Sequence, residues 1–268
     1  MPEVAELVCR DTSVDVMLDL ESAGKQARQG HLSTWKSSHT IAELDLIRRS
    51  VPAGRLIVRV DPWNQNPRRQ IEEALVGGAD WIMLPMFREL AELQQFIELL
   101  NGRAEPLPLV ETPEALAGMP SWMEQLSLKR FHVGLNDLHL AQKQDFLFQP
   151  IAEGQLEHIA QSAHNHNIGI GIGGTARANE GIIKPEALLG EHVRLGSSAV
   201  ILSQTFHRNA STSEEFIHGF DFFDELKKLE KIVEKFEQSD TDLLEENRIS
   251  FRHQVRDVVT LINRKKRG

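Results

Sequence analysis

Four short apolar runs in this chain end in ionisable or amide side chains. Asp19 and Glu21 close VDVMLDLE, Arg59 and Asp61 close LIVRVD, Glu111 closes PLPLVE, and Asn136-Asp137 close RFHVGLND. Runs of this kind belong in a core, so polar groups at their ends mark where strands meet solvent. Glu111 and Asp137 end consecutive runs. Neighbouring strands lie about 4.8 Å apart, and two carboxylates at one height can converge on a small cation. Mg2+ or Mn2+ suits such a pair, because these hard ions take one or two carboxylates and complete their shells with water or ligand oxygens. No histidine pair has the spacing of a zinc site. Arg59, flanked by Val58 and Val60, is costly in a strand unless it is paired or faces a polar cavity. Two readings stand for it: an internal salt bridge with Asp19, Glu21 or Asp61, or a guanidinium that binds a substrate carboxylate and stabilises an enolate oxygen. Carboxylates at matching strand ends favour the second.

Other candidates carry weaker signals. Gly173 and Gly174 in NIGIGIGG, with Ser197 and Ser198 in RLGSS, can present backbone N–H groups to a phosphate or simply turn the chain tightly. No G-x-G-x-x-G opens a helix near the chain start, which argues against a dinucleotide loop. His39, in WKSSHT after the first run, is either a loop and capping residue or a base hung over the site. His164 and His166 fall in a polar link.

The elements that must position these groups alternate in type. Strands are expected at 14–21, 55–61, 79–86, 106–112, 130–137, 167–174 and 193–202, with amphipathic helical patterns at TIAELDLIRRSV, NPRRQIEEALVGG, LAELQQFIELLNG and EGQLEHIAQSAHNHN between them. Such alternation predicts parallel strands covered by helices. Seven units in near-continuous succession favour an α/β fold of the TIM (β/α)8 barrel type, whose chemistry stands at the carboxyl ends of the strands. The count is one strand short. PEVAELVCR reads as a helix where a first strand belongs, so that strand is degenerate, missing or replaced. The barrel is expected to occupy residues 1–212 and a C-terminal helical extension residues 213–268. Phe216, Phe220, Phe223, Leu226, Val233 and Phe236 recur there at helical spacing, a stripe that packs either on the same subunit or on a neighbour.

Bulk properties narrow the partners. A chain of 268 residues with 41% hydrophobic and 26% charged residues is of ordinary globular composition. The net charge of -9 argues against nucleic acid, despite the basic end Arg264–Arg267. The single cysteine, Cys9, excludes an intrachain disulfide and fits a cytoplasmic setting, and no run is long and apolar enough to suggest a membrane span or a secretory leader.

Taken in order, VMLDLESAGKQAR, LIVRVDP, GGADWIMLPM, PLVETPEAL and FHVGLNDLHLA resemble the motifs of the HpcH/HpaI aldolase and citrate lyase β-subunit family, from about Val14 to about Ser203. DLExxGKxxRQ, WxSSHT, GLNDLHLA and LGEHxRLGSS resemble a branch associated with polysaccharide or sugar-acid gene clusters. The resemblance implies a TIM barrel, a homo-oligomer, and Mg2+- or Mn2+-dependent making or breaking of a C–C bond beside a 2-oxo acid, with pyruvate and an aldehyde as partners. It implies Glu111 and Asp137 as metal ligands, Arg59 as the contact to the enolate or carboxylate, and the backbone of Gly134, Leu135 and Asn136 as the cradle of the pyruvate carboxylate. Asp19, Glu21 and Ser197 complete the substrate-binding set. A citrate-lyase-like acyl-CoA lyase or thioesterase is the alternative enzyme, and a sugar-acid-binding barrel without turnover the alternative to an enzyme. One position departs from the pattern. The pyruvate aldolases place a histidine directly after Asp-x-Glu, and the citrate lyase side places an acid; this chain has Ser22. His39 is the substitute base, with Lys25 and Arg28 as anion contacts.

Overall fold

The computed structural model describes residues 1–22, 40–207, 210 and 212–267. A first helix, α1 (Pro2–Val8), precedes seven strands: β1 (Val16–Asp19), β2 (Leu56–Arg59), β3 (Trp81–Leu84), β4 (Glu105–Val110), β5 (Arg130–Val133), β6 (Gly169–Thr175) and β7 (Ser197–Leu202). They form one sheet in sequence order, every pair parallel. Helices follow the strands: α2 (Ile41–Ser50), α3 (Pro67–Val76), α4 (Leu90–Leu100), α5 (Pro113–Trp122), α6 (Leu135–Ala141), α7 (Gln149–Ala152), α8 (Glu157–Asn165) and α9 (Pro185–Arg194). Three more, α10 (Ser213–Gly219), α11 (Phe222–Glu237) and α12 (Thr241–Arg267), end the chain.

Strand alternation sorts the side chains into two cores. Leu18, Leu56, Val58, Ile82, Leu84, Val110, Phe131, Val133, Ile170 and Ile172 face outward under the helices. Met17, Ile57, Trp81, Met83, Leu107 and Leu109 face inward as a separate cluster. The sheet curls on itself, because Arg130 of β5 reaches Asp15 beside β1 at 2.9 Å while its guanidinium lies 3.8 Å from the centre of the Trp81 ring. Arg55 donates to the carbonyls of Cys9, Asp11 and Val14, tying the link after α1 to the same amino-terminal end. The fold is an α/β barrel of the TIM type.

The eighth strand is absent among the described residues, and no pairing joins β7 to β1. Side chains span the gap instead. Val8 of α1, Phe206, and Phe216, Phe222, Leu226 and Leu229 of α10 and α11 are buried together, with Val14 and Val16 on the β1 side and Leu202 on the β7 side packed against them. Phe206, Phe216, Phe220 and Phe222 meet at centroid separations of 5.4 to 6.4 Å, mostly edge to face. The phenylalanine stripe is therefore covered largely within its own chain. Phe251 and Val255 of α12 join the outer core, and Asn247 donates to Ala187 O at 3.0 Å.

Two strand boundaries differ most from the sequence expectation, by four residues each. β5 stops at Val133, and Gly134 caps α6, so Asn136 and Asp137 lie in a first helical turn rather than at a strand end. α9 continues through Arg194, a turn follows at Gly196 with φ +67, and β7 begins only at Ser197. Both misreadings come from apolar residues that a short buried helix and a buried strand share.

Candidate active site

Glu111 follows β4 directly and is 2% exposed. Its backbone is held by what comes next: Thr112 caps α5, accepting from Ala115 N at 3.2 Å, donates its hydroxyl to Phe87 O at 2.7 Å, and is followed by Pro113 at the first helical position. Two neighbours shape the space around the carboxylate. Met86, after β3, takes a left-handed φ of 56 and donates its N–H to Glu111 Oε1 at 3.1 Å. A Cβ added to Gly134 would fall 2.6 Å from Glu111 Oε2, so only glycine fits there without displacing the acid. Asp137 stands in the first turn of the helix that Gly134 caps. The Gly134 amide itself donates to Val110 O at 2.9 Å, which removes it from the expected carboxylate cradle; Leu135 and Asn136 follow at the start of the helix.

The opposite wall comes from β1 and β2. Asp19 pairs in register with Arg59, and the two side chains form a fork, with Nε to Oδ1 at 2.9 Å and Nη2 to Oδ2 at 2.7 Å. Glu21, 3% exposed, lies 3.5 Å from Arg59 Nε. Burial acts to lower the Arg59 pKa, but the hydrogen bonds and charge of Asp19, then the charges of Glu21 and Glu111, outweigh it and leave the pKa raised. Arg59 is thus a fixed cation whose field reaches Glu111, which joins the two walls in one electrostatic group. The salt-bridge reading of Arg59 from sequence holds, and the pair sits at the carboxyl end of the sheet.

A third group fastens the strand ends. Gln70 accepts from Asp61 N at 2.6 Å and donates to Leu20 O at 3.1 Å, bridging the exits of β1 and β2. Ser22 N donates to Asp61 Oδ1 at 2.6 Å.

Ser197 does not join this group. It opens β7 opposite Ile170, near the start of β6, and so lies at the amino end of the sheet, away from Glu111. Ser198 shares that end, which removes both serines from a phosphate cup at the mouth. The glycines of β6 have a packing role: a Cβ at Gly171 would fall 2.2 Å from His132 Nδ1, and one at Gly173, whose φ is +49, 2.6 Å from Leu135. His39, Lys25 and Arg28 lie outside the described residues.

Three contributors were not legible as site residues. Met86 matters through its backbone, Gln70 through a side chain in an ordinary helical turn, and His132 by facing inward beneath the mouth. His132 donates from Nε2 to Gly173 O at 2.9 Å. Burial lowers its pKa to about 4, with the Gly173 hydrogen bond opposing and the charges of Arg130 and Arg59 adding to the drop, so the ring is neutral near pH 7. The only advance signal for it was a histidine inside an apolar run.

Among the described residues, no three His, Cys, Asp or Glu side chains gather as a metal cluster. The donor chemistry still fits a hard divalent cation: a buried carboxylate in a glycine-bounded recess and an aspartate one helical turn away are the one or two acids such an ion takes, the remainder being water or ligand oxygen.

The fold and the walls of the mouth define an α/β barrel with an acid and arginine site at the carboxyl ends of its strands. The structural neighbours of this barrel are proteins of the HpcH/HpaI aldolase and citrate lyase family. The CitE protein of Mycobacterium tuberculosis in complex with magnesium and pyruvate is similar at a TM-score of 0.58 with 13% identity, covering 92% of this chain and 94% of that one. The citrate lyase β subunit of the same organism, complexed with oxaloacetate and magnesium, gives 0.56 with 14% identity, covering 89% and 94%. An HpcH/HpaI aldolase from Desulfitobacterium hafniense DCB-2 gives 0.55 with 14% identity, covering 82% and 90%. At such identities the likeness is one of fold. No family model matches the sequence, and no curated protein matches it. No helix among the described residues is long and apolar enough to cross a membrane.

Proposed function

We propose that this chain is a divalent-metal-dependent carbon–carbon lyase of the class II pyruvate-aldolase type, acting on a 4-hydroxy-2-oxo acid or 2-oxo-3-deoxy sugar acid to give pyruvate and an aldehyde. One observation carries the reading: Glu111 is buried against Gly134 and the Met86 N–H, facing the Arg59–Asp19–Glu21 group at the same end of the sheet. Magnesium accompanies oxaloacetate and pyruvate, both 2-oxo acids, in the structural neighbours, which supports the same substrate class here. A homo-oligomer in the cytoplasm, with the barrel in residues 1–212 and the helical extension after it, is the setting this reading takes.

In this mechanism Glu111 and Asp137 would hold Mg2+ or Mn2+. When bound, such an ion supplies Lewis acidity to the 2-oxo oxygen and to the charge that develops there. Arg59 presents a guanidinium that Asp19 has already oriented, so its positive field is in place before substrate arrives. Leu135 and Asn136 offer the first amides of α6 to the substrate carboxylate. Glu21 lies 3.5 Å from the same Nε that Asp19 binds and adds a second negative charge beside the guanidinium. No lysine is needed to form a Schiff base.

The test is pyruvate release from a panel of 4-hydroxy-2-oxo acids, read by coupled NADH oxidation, with Mg2+ or Mn2+ present and after chelation. Glu111→Gln is expected to reduce turnover by about a hundredfold or more, on the scale of a lost electrostatic stabiliser. Activity that survives chelation, or full activity in Glu111→Gln, refutes the mechanism. Acyl-CoA cleavage without pyruvate release would favour the acyl-CoA lyase instead, and tight sugar-acid binding with no turnover the binding barrel.

A further inference from the structure

We propose that Asp61 is the proton-transfer carboxylate of this site, taking over from β2 the task that Ser22 cannot perform from β1. The proposal rests on the lyase reading above and names a residue within it. The C3–C4 bond of a 4-hydroxy-2-oxo acid breaks when a base takes the proton of the C4 hydroxyl, and a proton must then reach the enolate carbon, which the same group can supply. The pyruvate aldolases that this chain resembles place a histidine directly after Asp-x-Glu, and the serine hydroxyl that stands there in this chain is too weak an acceptor near neutrality.

The geometry supplies a carboxylate at that place from the neighbouring strand. Leu20 N donates to Arg59 O at 2.9 Å, which extends the β1–β2 register past the last paired residues, sets Glu21 opposite Asp61 and leaves Ser22 one residue further on, within reach of the Asp61 side chain. Val60 is 2% exposed and packs in the outer core, so alternation turns Asp61 to the side of Arg59. Ser22 then binds it twice, N to Oδ1 at 2.6 Å and Oγ to Oδ1 and Oδ2 at 3.3 and 3.4 Å. An Asp61 oxygen therefore lies one hydrogen bond from the Ser22 side chain.

Two further features suit the role. Gln70 fixes the Asp61 backbone to the exit of β1, which restricts the carboxylate to this position. Asp61 is half-buried beside an exposed Ser22, so substrate can reach the pair, whereas Glu21 and Glu111 are 3% and 2% exposed and already engaged. In cleavage, the Asp61 carboxylate takes the C4 hydroxyl proton as the C3–C4 bond breaks. The electron pair of that bond becomes the pyruvate enolate, the aldehyde departs, and the proton on Asp61 passes to C3. Ser22 Oγ, donating to the carboxylate, is a positioning group.

The experiment is exchange of the pyruvate methyl protons for deuterium in D2O with Mg2+ or Mn2+, followed by proton NMR, because it isolates proton transfer from aldehyde chemistry. Asp61→Asn is expected to slow exchange by about a hundredfold or more while pyruvate binding by calorimetry persists, the usual scale for a lost acid–base group. The double variant Ser22→Asp with Asp61→Asn returns the acid to β1 and is expected to recover at least about tenfold of that loss. A structural role for Asp61 would not be relieved by relocation, and circular dichroism melts establish that each variant is folded. Exchange in Asp61→Asn within threefold of the unsubstituted protein overturns the assignment, as does a loss that Ser22→Asp leaves unrelieved. If the unsubstituted protein neither exchanges nor releases pyruvate, the lyase reading fails and this assignment with it, so the two failures are distinguishable.

Discussion

Gly134→Ala is the smallest change that strikes the candidate metal recess. The backbone at Gly134 has φ -87, which alanine adopts freely, so no conformational strain enters. The whole effect is steric. The new methyl would stand 2.6 Å from Glu111 Oε2, 3.0 Å from Glu111 Cβ and 3.2 Å from Leu109 Cδ1, and both side chains are buried at 2% exposure, with little room to yield. Overpacking of this order costs about 1–3 kcal/mol, and moving the carboxylate off the Met86 N–H forfeits a hydrogen bond to a charged group worth about 1.5–3 kcal/mol. Partial relaxation makes these overlap, so a loss of about 2–4 kcal/mol is expected. For a domain of this size that lowers the melting temperature by roughly 4–16 °C. The assay pairs a thermal melt with a Mn2+ titration followed by water proton relaxation. Weakened Mn2+ binding with a lowered melt is the expected result. A variant that melts within about one degree of the parent and titrates identically would refute the idea that Gly134 is glycine because Glu111 needs the space.

Arg59→Met should cost about 3–5 kcal/mol in urea unfolding, because it leaves Asp19, Glu21 and Glu111 facing one another without their shared cation. A loss under about 1 kcal/mol would show that the acids are solvated rather than organised by Arg59. Stability should also fall in acid through His132. Its folded pKa of about 4 lies below the unfolded value, so between pH 6.5 and 4 the unfolded chain binds the proton first and stability declines as pH falls, by about 3 kcal/mol across the window. His132→Gln keeps a donor for Gly173 O and should flatten that slope; an unchanged slope would place the acid sensitivity elsewhere.

The missing strand and the site are mechanically linked. β1 carries Asp19 and leads to Glu21, yet its outer edge lacks a strand partner among the described residues. Edge strands fray unless something covers them. Here Val14 and Val16 are pinned by the phenylalanine cluster of α10 and α11, while Arg130 holds Asp15 across the interior. The C-terminal helices thus do structural work that a barrel strand does elsewhere, and the position of Arg59 depends on it through Asp19. This explains why so aromatic a stripe follows the last strand in a chain with few aromatics otherwise.

What sequence reveals and what it conceals here divides along a physical line. The strand–helix alternation, the absent first strand and the polar strand ends were all legible, because period and chain order carry them. Glu111 and Arg59 stood out as charges where apolar residues belong. The limits appear wherever meaning depends on a neighbour far along the chain. Gly173 looked like one member of a phosphate loop, but its left-handed φ of +49 and the Leu135 side chain packed over it already require a glycine there. From sequence Ser197 counts among the mouth residues with its own strand started too early, at 193; once α9 runs to Arg194, the serine opens the strand and falls to the other end of the sheet. Ser22 is the sharpest case. Alone it is a departure from the pattern that the run resembles, and its partner is 39 residues away with no local pattern to announce it. Strand register sets Asp61 opposite Glu21, and the Ser22 amide and hydroxyl then meet the Asp61 carboxylate, so the surroundings of that serine are built by a pair of strands rather than by either run alone.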